Sequence, residues 1–207
     1  MIRKLLLTGA TALLLMTMSA AAYADTFNVV GNSNSNATAK LNIISVSNSL
    51  LVISVTNTSA GKVTGFGFDL PGSGSYTLQS MTANGNGTFS FSTSAGNVPQ
   101  FNSAALDFAL LTHAGNFAGG NPPSGLAQGQ TSNVFTISGN FTGLSQQQIA
   151  NAVYVRFQAL TTNPDSDVAH GGTPNAPVPE PATMVLLGTG LAGVAARMRK
   201  RRKAAKE

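Results

Sequence analysis

Short runs of alternating apolar and polar residues, each closed by a cluster of Gly, Asn, Ser or Pro, limit what this chain can become. In residues 50–56, Leu51, Ile53 and Val55 alternate with Val52, Ser54 and Thr56. A repeat of two is that of a strand with one buried face. Further strands are expected over 27–30, 37–46, 63–70, 76–81, 88–92, 105–111, 133–138 and 153–160, separated by turn-rich stretches such as GNSNSN at 31–36 and ANGNG at 83–87. One helix is expected over 143–150, where Ser145 and Gln148 have the spacing of a capping box. The segment 116–130 reads as a long Gly/Pro loop, a length at which loops are often functional or mobile. Many short strands with almost no helix imply a mainly β domain, an antiparallel β-sandwich or jelly roll.

The two ends of the chain have a different character. Residues 1–24 carry Arg3 and Lys4, an apolar stretch over 5–18, and Ala22-Tyr23-Ala24. That is the layout of a secretory signal peptide, with cleavage expected between Ala24 and Asp25. At the other end, residues 182–196 contain no charged side chain and are followed by Arg197, Arg199, Lys200, Arg201, Arg202 and Lys203. This is a short membrane helix with a basic stop, and the positive-inside rule leaves the preceding chain outside the cytoplasm. The expected division is a signal peptide at 1–24, an ectodomain at 25–170, a Pro/Gly linker at 171–178 and a terminal segment at 179–207.

This division reverses the reading of the net charge of +5. Most of the basic residues lie in the two end segments. Residues 25–178 hold Lys40, Lys62 and Arg156 against Asp25, Asp69, Asp107, Asp165 and Asp167, a net charge of −2. Nucleic-acid binding, which needs a basic patch on the folded domain, is not indicated. There is no Cys, so neither disulfides nor thiolate chemistry is available.

Val178-Pro179-Glu180-Pro181, the Leu/Gly-rich apolar run and the Arg-rich end, in that order, resemble the PEP-CTERM sorting signal. Met184 stands where that family usually has Leu. The resemblance implies export by the Sec machinery, a precursor anchored in the inner membrane, and processing by exosortase, an integral-membrane enzyme often encoded with exopolysaccharide genes. It implies a destination at the cell surface or beyond, and it makes the chain a substrate of the sorting enzyme.

The exported part offers few groups for chemistry. Asn163, Asp165 and Asp167 could present oxygens to Ca²⁺ from one loop, but Val168 stands where an EF-hand loop needs Gly. The competing reading makes these residues Asx-type turns. No metal or cofactor is assigned. Asp69 and Asp107 could pair as glycosidase carboxylates, with His113 or His170 as the only imidazoles. No G-x-S-x-G, H-E-x-x-H or P-loop motif occurs, so an enzyme is not expected. A carbohydrate-binding module acting on exopolysaccharide is the alternative to a structural or adhesive role, with Tyr76, Tyr154 and the Phe residues as the only aromatics for stacking, because Trp is absent. The alternation assigns Phe66, Phe68, Phe89, Phe91, Phe135, Tyr154 and Phe157 to the core instead. Asn36, Asn57, Asn86 and Asn140 head N-x-S/T sequons.

Overall fold

The computed structural model describes residues 25–72, 74–101 and 104–175. The expected signal peptide, sorting motif, apolar helix and basic cluster lie outside the described residues. The described chain is mainly β, with two antiparallel sheets. Its strands are β1 (Asp25–Val30), β2 (Thr38–Val46), β3 (Leu50–Asn57), β4 (Lys62–Phe68), β5 (Thr77–Met81), β6 (Ser90–Ser92), β7 (Phe108–Leu111), β8 (Phe135–Ser138), β9 (Val153–Gln158), β10 (Asp167–His170) and β11 (Thr173–Pro174). One sheet has the order β11-β1-β2-β3-β8-β5 and the other β10-β9-β4-β7-β6.

Alternation decides what is buried. Phe27, Leu41, Ile53 and Phe135 from the first sheet and Phe66, Phe108, Val155 and Phe157 from the second belong to one hydrophobic cluster. Phe66 meets Phe89 and Phe135 edge-on, at ring-centroid distances of 5.5 and 5.8 Å. Edge-to-face contact matches the positive rim of one ring to the negative face of the next.

The outer face of the first sheet keeps its Thr, Ser and Asn, and they bond to one another. Asn42 accepts from Thr26 and donates to Ser54 and Thr56, and Thr56 Oγ1 lies 2.9 Å from Thr131 Oγ1. Cross-strand pairs of this kind hold a sheet together without charge.

The expected helix is α1 (Gln146–Asn151). Ser145 Oγ accepts from the Gln148 amide, and Gln148 Oε1 accepts from the Ser145 amide, so both halves of the capping box form.

Three expectations change. The long 116–130 loop is pinned rather than loose: Leu126 is fully buried and exchanges two backbone hydrogen bonds with Val63. Residues 167–170, read as a loop, form strand β10 against β9. The linker expected from 171 begins with β11, which pairs Phe27 with Pro174 and Asn28 with Thr173. The Asn175 amide then donates to Thr26 O, and the first compact unit ends at Asn175 rather than at residue 170. Sequence alternation could not show this, because two residues are too few to alternate. Pro174 suits the position, since an edge strand does not need its outer N–H.

Candidate functional site

The outer face of the second sheet is organised around two glycines in β4. Gly67 lies opposite both Tyr154 and Ala109, and Gly65 lies opposite both Arg156 and Leu111. A Cβ on Gly67 would come within 2.8 Å of Leu106 Cδ1 and 2.9 Å of Ala109 Cβ. The absent side chains let Leu106 and its neighbours close onto the sheet. Ala95, Val98, Leu106, Leu111, Phe117 and Tyr154 form a second buried cluster there, with Phe101 and Ala104 packed against it. Tyr154 therefore belongs to this outer cluster and not to the main core, as strand alternation alone had suggested.

At one end of this face three rings meet. His170 in β10 is directly opposite Tyr154 in β9, and their rings stack at 4.2 Å with an interplanar angle of 15°. Phe101 stands edge-on to both, at 5.3 Å from Tyr154 and 5.5 Å from His170. Tyr154 is buried beneath, Phe101 is half-buried and His170 is exposed. Gln100 precedes Phe101 with φ at +68°, and the Phe101 amide closes the turn on Val98 O. A positive φ outside glycine costs about 1–3 kcal/mol, so the packing of this turn must outweigh that strain.

Where β4 ends and β7 begins lies a cleft of about 470 Å³ lined by Ser75, Tyr76, Thr93, Leu106 and Asp107, with β9 and β4 between β7 and the strand of His170. Asp107 Oδ2 accepts from the Leu70 amide at 2.8 Å. Burial pushes the Asp107 carboxyl above its ordinary value; the Leu70 amide opposes this, and the Asp69 charge adds to it. Asp69 itself is exposed. Its charge also raises Tyr154, after burial, and supports the protonated form of His170, which burial pushes the other way and on balance lowers. Asp69 therefore acts on the cleft and on the rings alike.

The raised Asp107 gives a pH prediction. The folded state binds this proton more tightly than the unfolded chain, so stability increases as pH falls through the shifted value and the gain is complete below the ordinary 3.8. Asp107→Asn keeps an acceptor for the Leu70 amide and removes the charge. We expect the variant to melt above the wild type at pH 7, with the gap closing as melting curves are taken down to pH 3. A constant gap would place the effect elsewhere.

The other sequence candidates separate. Asp69 and Asp107 come close enough to influence each other, but His113 is exposed beyond the far end of β7. Tyr76 is only 4% exposed; its ring packs on Phe108 and Phe141, so it walls the cleft without offering an open stacking face. Asn163 and Asp165 are exposed, whereas Asp167 is fully buried. Asp167 Oδ2 accepts from the Ser33 and Asn34 amides and Oδ1 from the Val168 amide. Its oxygens thus fasten the 31–36 loop to β10, and the three residues are not gathered as a calcium ligand set. Among the described residues no group of three His, Asp or Glu converges. The sequon residue Asn57 is fully buried and donates to Gly61 O and Leu126 O, which closes it to modification in the folded domain.

Sequence reasoning missed Phe101 and the stacking of His170. A faint signal existed: Ala95, Val98, Phe101 and Ala104 recur every third residue in a stretch that alternates nowhere.

The model of the PEP-CTERM protein-sorting motif matches residues 177–202. The chain carries a PEP-CTERM sorting motif. The match contains Val178, Pro179, Glu180 and Pro181 and the basic residues Arg197 to Arg202. A PEP-CTERM motif implies a membrane-passing precursor that is sorted to the cell surface, with exosortase as its processing partner. No curated protein and no solved structure matches the chain.

Proposed function

We propose that the mature chain is a non-catalytic component of the cell envelope or extracellular matrix, with a structural or adhesive role beside exopolysaccharide. The observation that carries this reading is the PEP-CTERM match behind a charge-poor β domain. A single hydrophobic cluster drawn from both sheets supports viewing them as the layers of a β-sandwich of jelly-roll type. Sec export, a signal peptide cut after Ala24 and an inner-membrane anchor at 182–196, with the domain outside the cytoplasm, complete the proposed route. The test is to shave intact host cells with protease. We expect the β domain in the released surface fraction, and cells lacking the chain to lose attachment. A domain found only inside protoplasts would overturn the reading.

A second reading, carbohydrate binding, is favoured by the cleft and ring cluster at one end of the second sheet. A hydrolase is the least supported: it requires reducing ends released from the host polysaccharide and lost in Asp107→Asn, and we expect none.

A further inference from the structure

Two surfaces of this domain offer hydrogen-bonding groups, and they differ in what is already used. On the outer face of the first sheet, Asn42, Ser54, Thr56 and Thr131 bond to each other. A ligand there would have to break bonds that the protein already makes. At the end of the second sheet the groups have other geometry. Asp107 lines an open cleft and spends one bond of its Oδ2 on the Leu70 amide, out of about four lone-pair sites on a carboxylate. Ser75 and Thr93 add hydroxyls to the same walls. At about 470 Å³, the cleft falls within the roughly 300–1,000 Å³ typical of small-ligand sites.

Across β4 and β9 from the cleft, exposed His170 stacks on Tyr154 and Phe101 stands edge-on to it. A flat ring beside an upright one forms a corner. The apolar face of a sugar ring suits such a corner, because its C–H bonds point at the electron-rich face of an aromatic. Burial lowers His170, which favours the neutral imidazole near pH 7.

We propose that this end of the second sheet binds an uncharged polysaccharide, with sugar hydroxyls donating to Asp107 in the cleft and a further sugar of the same chain stacking on His170 beside Phe101. The assignment rests on the carbohydrate-binding reading and names its site and ligand class. The charge sign follows from the site: Asp69 and Asp107 repel uronate or sulfated chains. A polysaccharide, rather than a free sugar, is indicated because β9 and β4 separate the cleft beside β7 from the corner on β10, a span that several linked sugars are needed to cover.

The molecule carries its own reporter. Of the three tyrosines, Tyr23 lies in the expected signal peptide, leaving Tyr76 in the cleft wall and Tyr154 under His170. With no Trp in the chain, tyrosine emission is not masked. The experiment titrates the exported protein, purified from its host, with that host's exopolysaccharide, a neutral glucan and a polyuronate, following tyrosine emission and heat. We expect saturable binding of at least one neutral chain and none of the polyuronate. Asp107→Asn and His170→Ala should each weaken binding about tenfold or more, the loss expected for one hydrogen bond to a charged group or one stacking contact. His170→Phe, which keeps the plate, should bind as wild type. Melting curves verify that each variant is folded.

Neutral-chain binding that Asp107→Asn, His170→Ala and Phe101→Ala all leave unchanged would overturn this site and leave the carbohydrate reading standing. Binding of the polyuronate above the neutral chains would overturn the ligand class. No binding of any polysaccharide by the folded wild type would overturn the site and the reading together.

Discussion

Asp167→Ala is expected to lower the stability of the β domain by about 3–5 kcal/mol, from the loss of several charge-assisted hydrogen bonds in a buried setting. The carboxylate is fully buried and holds three backbone amides, those of Ser33, Asn34 and Val168, at 3.0, 2.7 and 2.8 Å. Alanine leaves all three without their acceptor. Gly31 leaves room for the carboxylate, since a Cβ there would collide with Asp167 Oδ2, so the loop is shaped around the group that alanine removes. Arg156 adds to the cost. It is 8% exposed, its Nη1 donates to the Asp167 main-chain carbonyl at 3.4 Å, a bond that alanine keeps, and its Nε is buried without a partner. Burial pushes its guanidinium below the ordinary value, and the charges of Asp167 and Asp165 oppose that shift. Alanine removes the larger of these two favourable charges and leaves that of Asp165. Urea unfolding measures the effect: the midpoint should fall sharply at an unchanged slope. A loss below about 1 kcal/mol would mean that water replaces the carboxylate cheaply and that the 31–36 loop is not anchored there.

Phe66→Ala should cost a comparable amount, about 3–5 kcal/mol, as for other large-to-small changes in a packed core. Phe66 is fully buried and forms a triangle of edge contacts with Phe89 and Phe135, the latter pair at 6.3 Å. Phe66 belongs to the second sheet and Phe135 to the first, so the cavity would open between them. Phe66→Leu keeps most of the apolar volume and should cost about 1.5 kcal/mol or less. Domains of this size are stable by only about 5–15 kcal/mol, so the alanine variant should unfold at markedly lower urea. Equal costs for the two variants would argue that the rings fill space without specific contact.

Strands longer than four residues were legible because burial on one face writes itself as alternation: β2, β3 and β9 lie within a residue or two of their expected bounds. The capping box was legible because its two residues are three apart and bond locally. What escaped were features made by distant partners. Strand β10 looks like a turn because Asp167 is polar, and two of the three amides that offset its burial lie more than a hundred residues earlier in the chain. Strand β11 is too short to alternate and exists through pairing with β1. The ring cluster escaped for the same reason. Phe101 lies in a segment without regular structure, and only the fold brings it to Tyr154 and His170. Of the carboxylates singled out for catalysis, Asp69 and Asp107 do come close enough to influence each other, but no residue pattern signals the cleft that Asp107 lines, because its walls come from segments 74–76, 93 and 105–107 that only the fold gathers.

We propose that this chain is exported and then cut from a transient sorting tail. Intact-mass analysis of the surface protein from its own host, with and without the sorting enzyme, tests it most directly. The expected species begins at Asp25 and ends near Pro179–Pro181, and it appears only when the enzyme is present. A species that still ends at Glu207 in both strains would contradict the account and make the tail a permanent anchor.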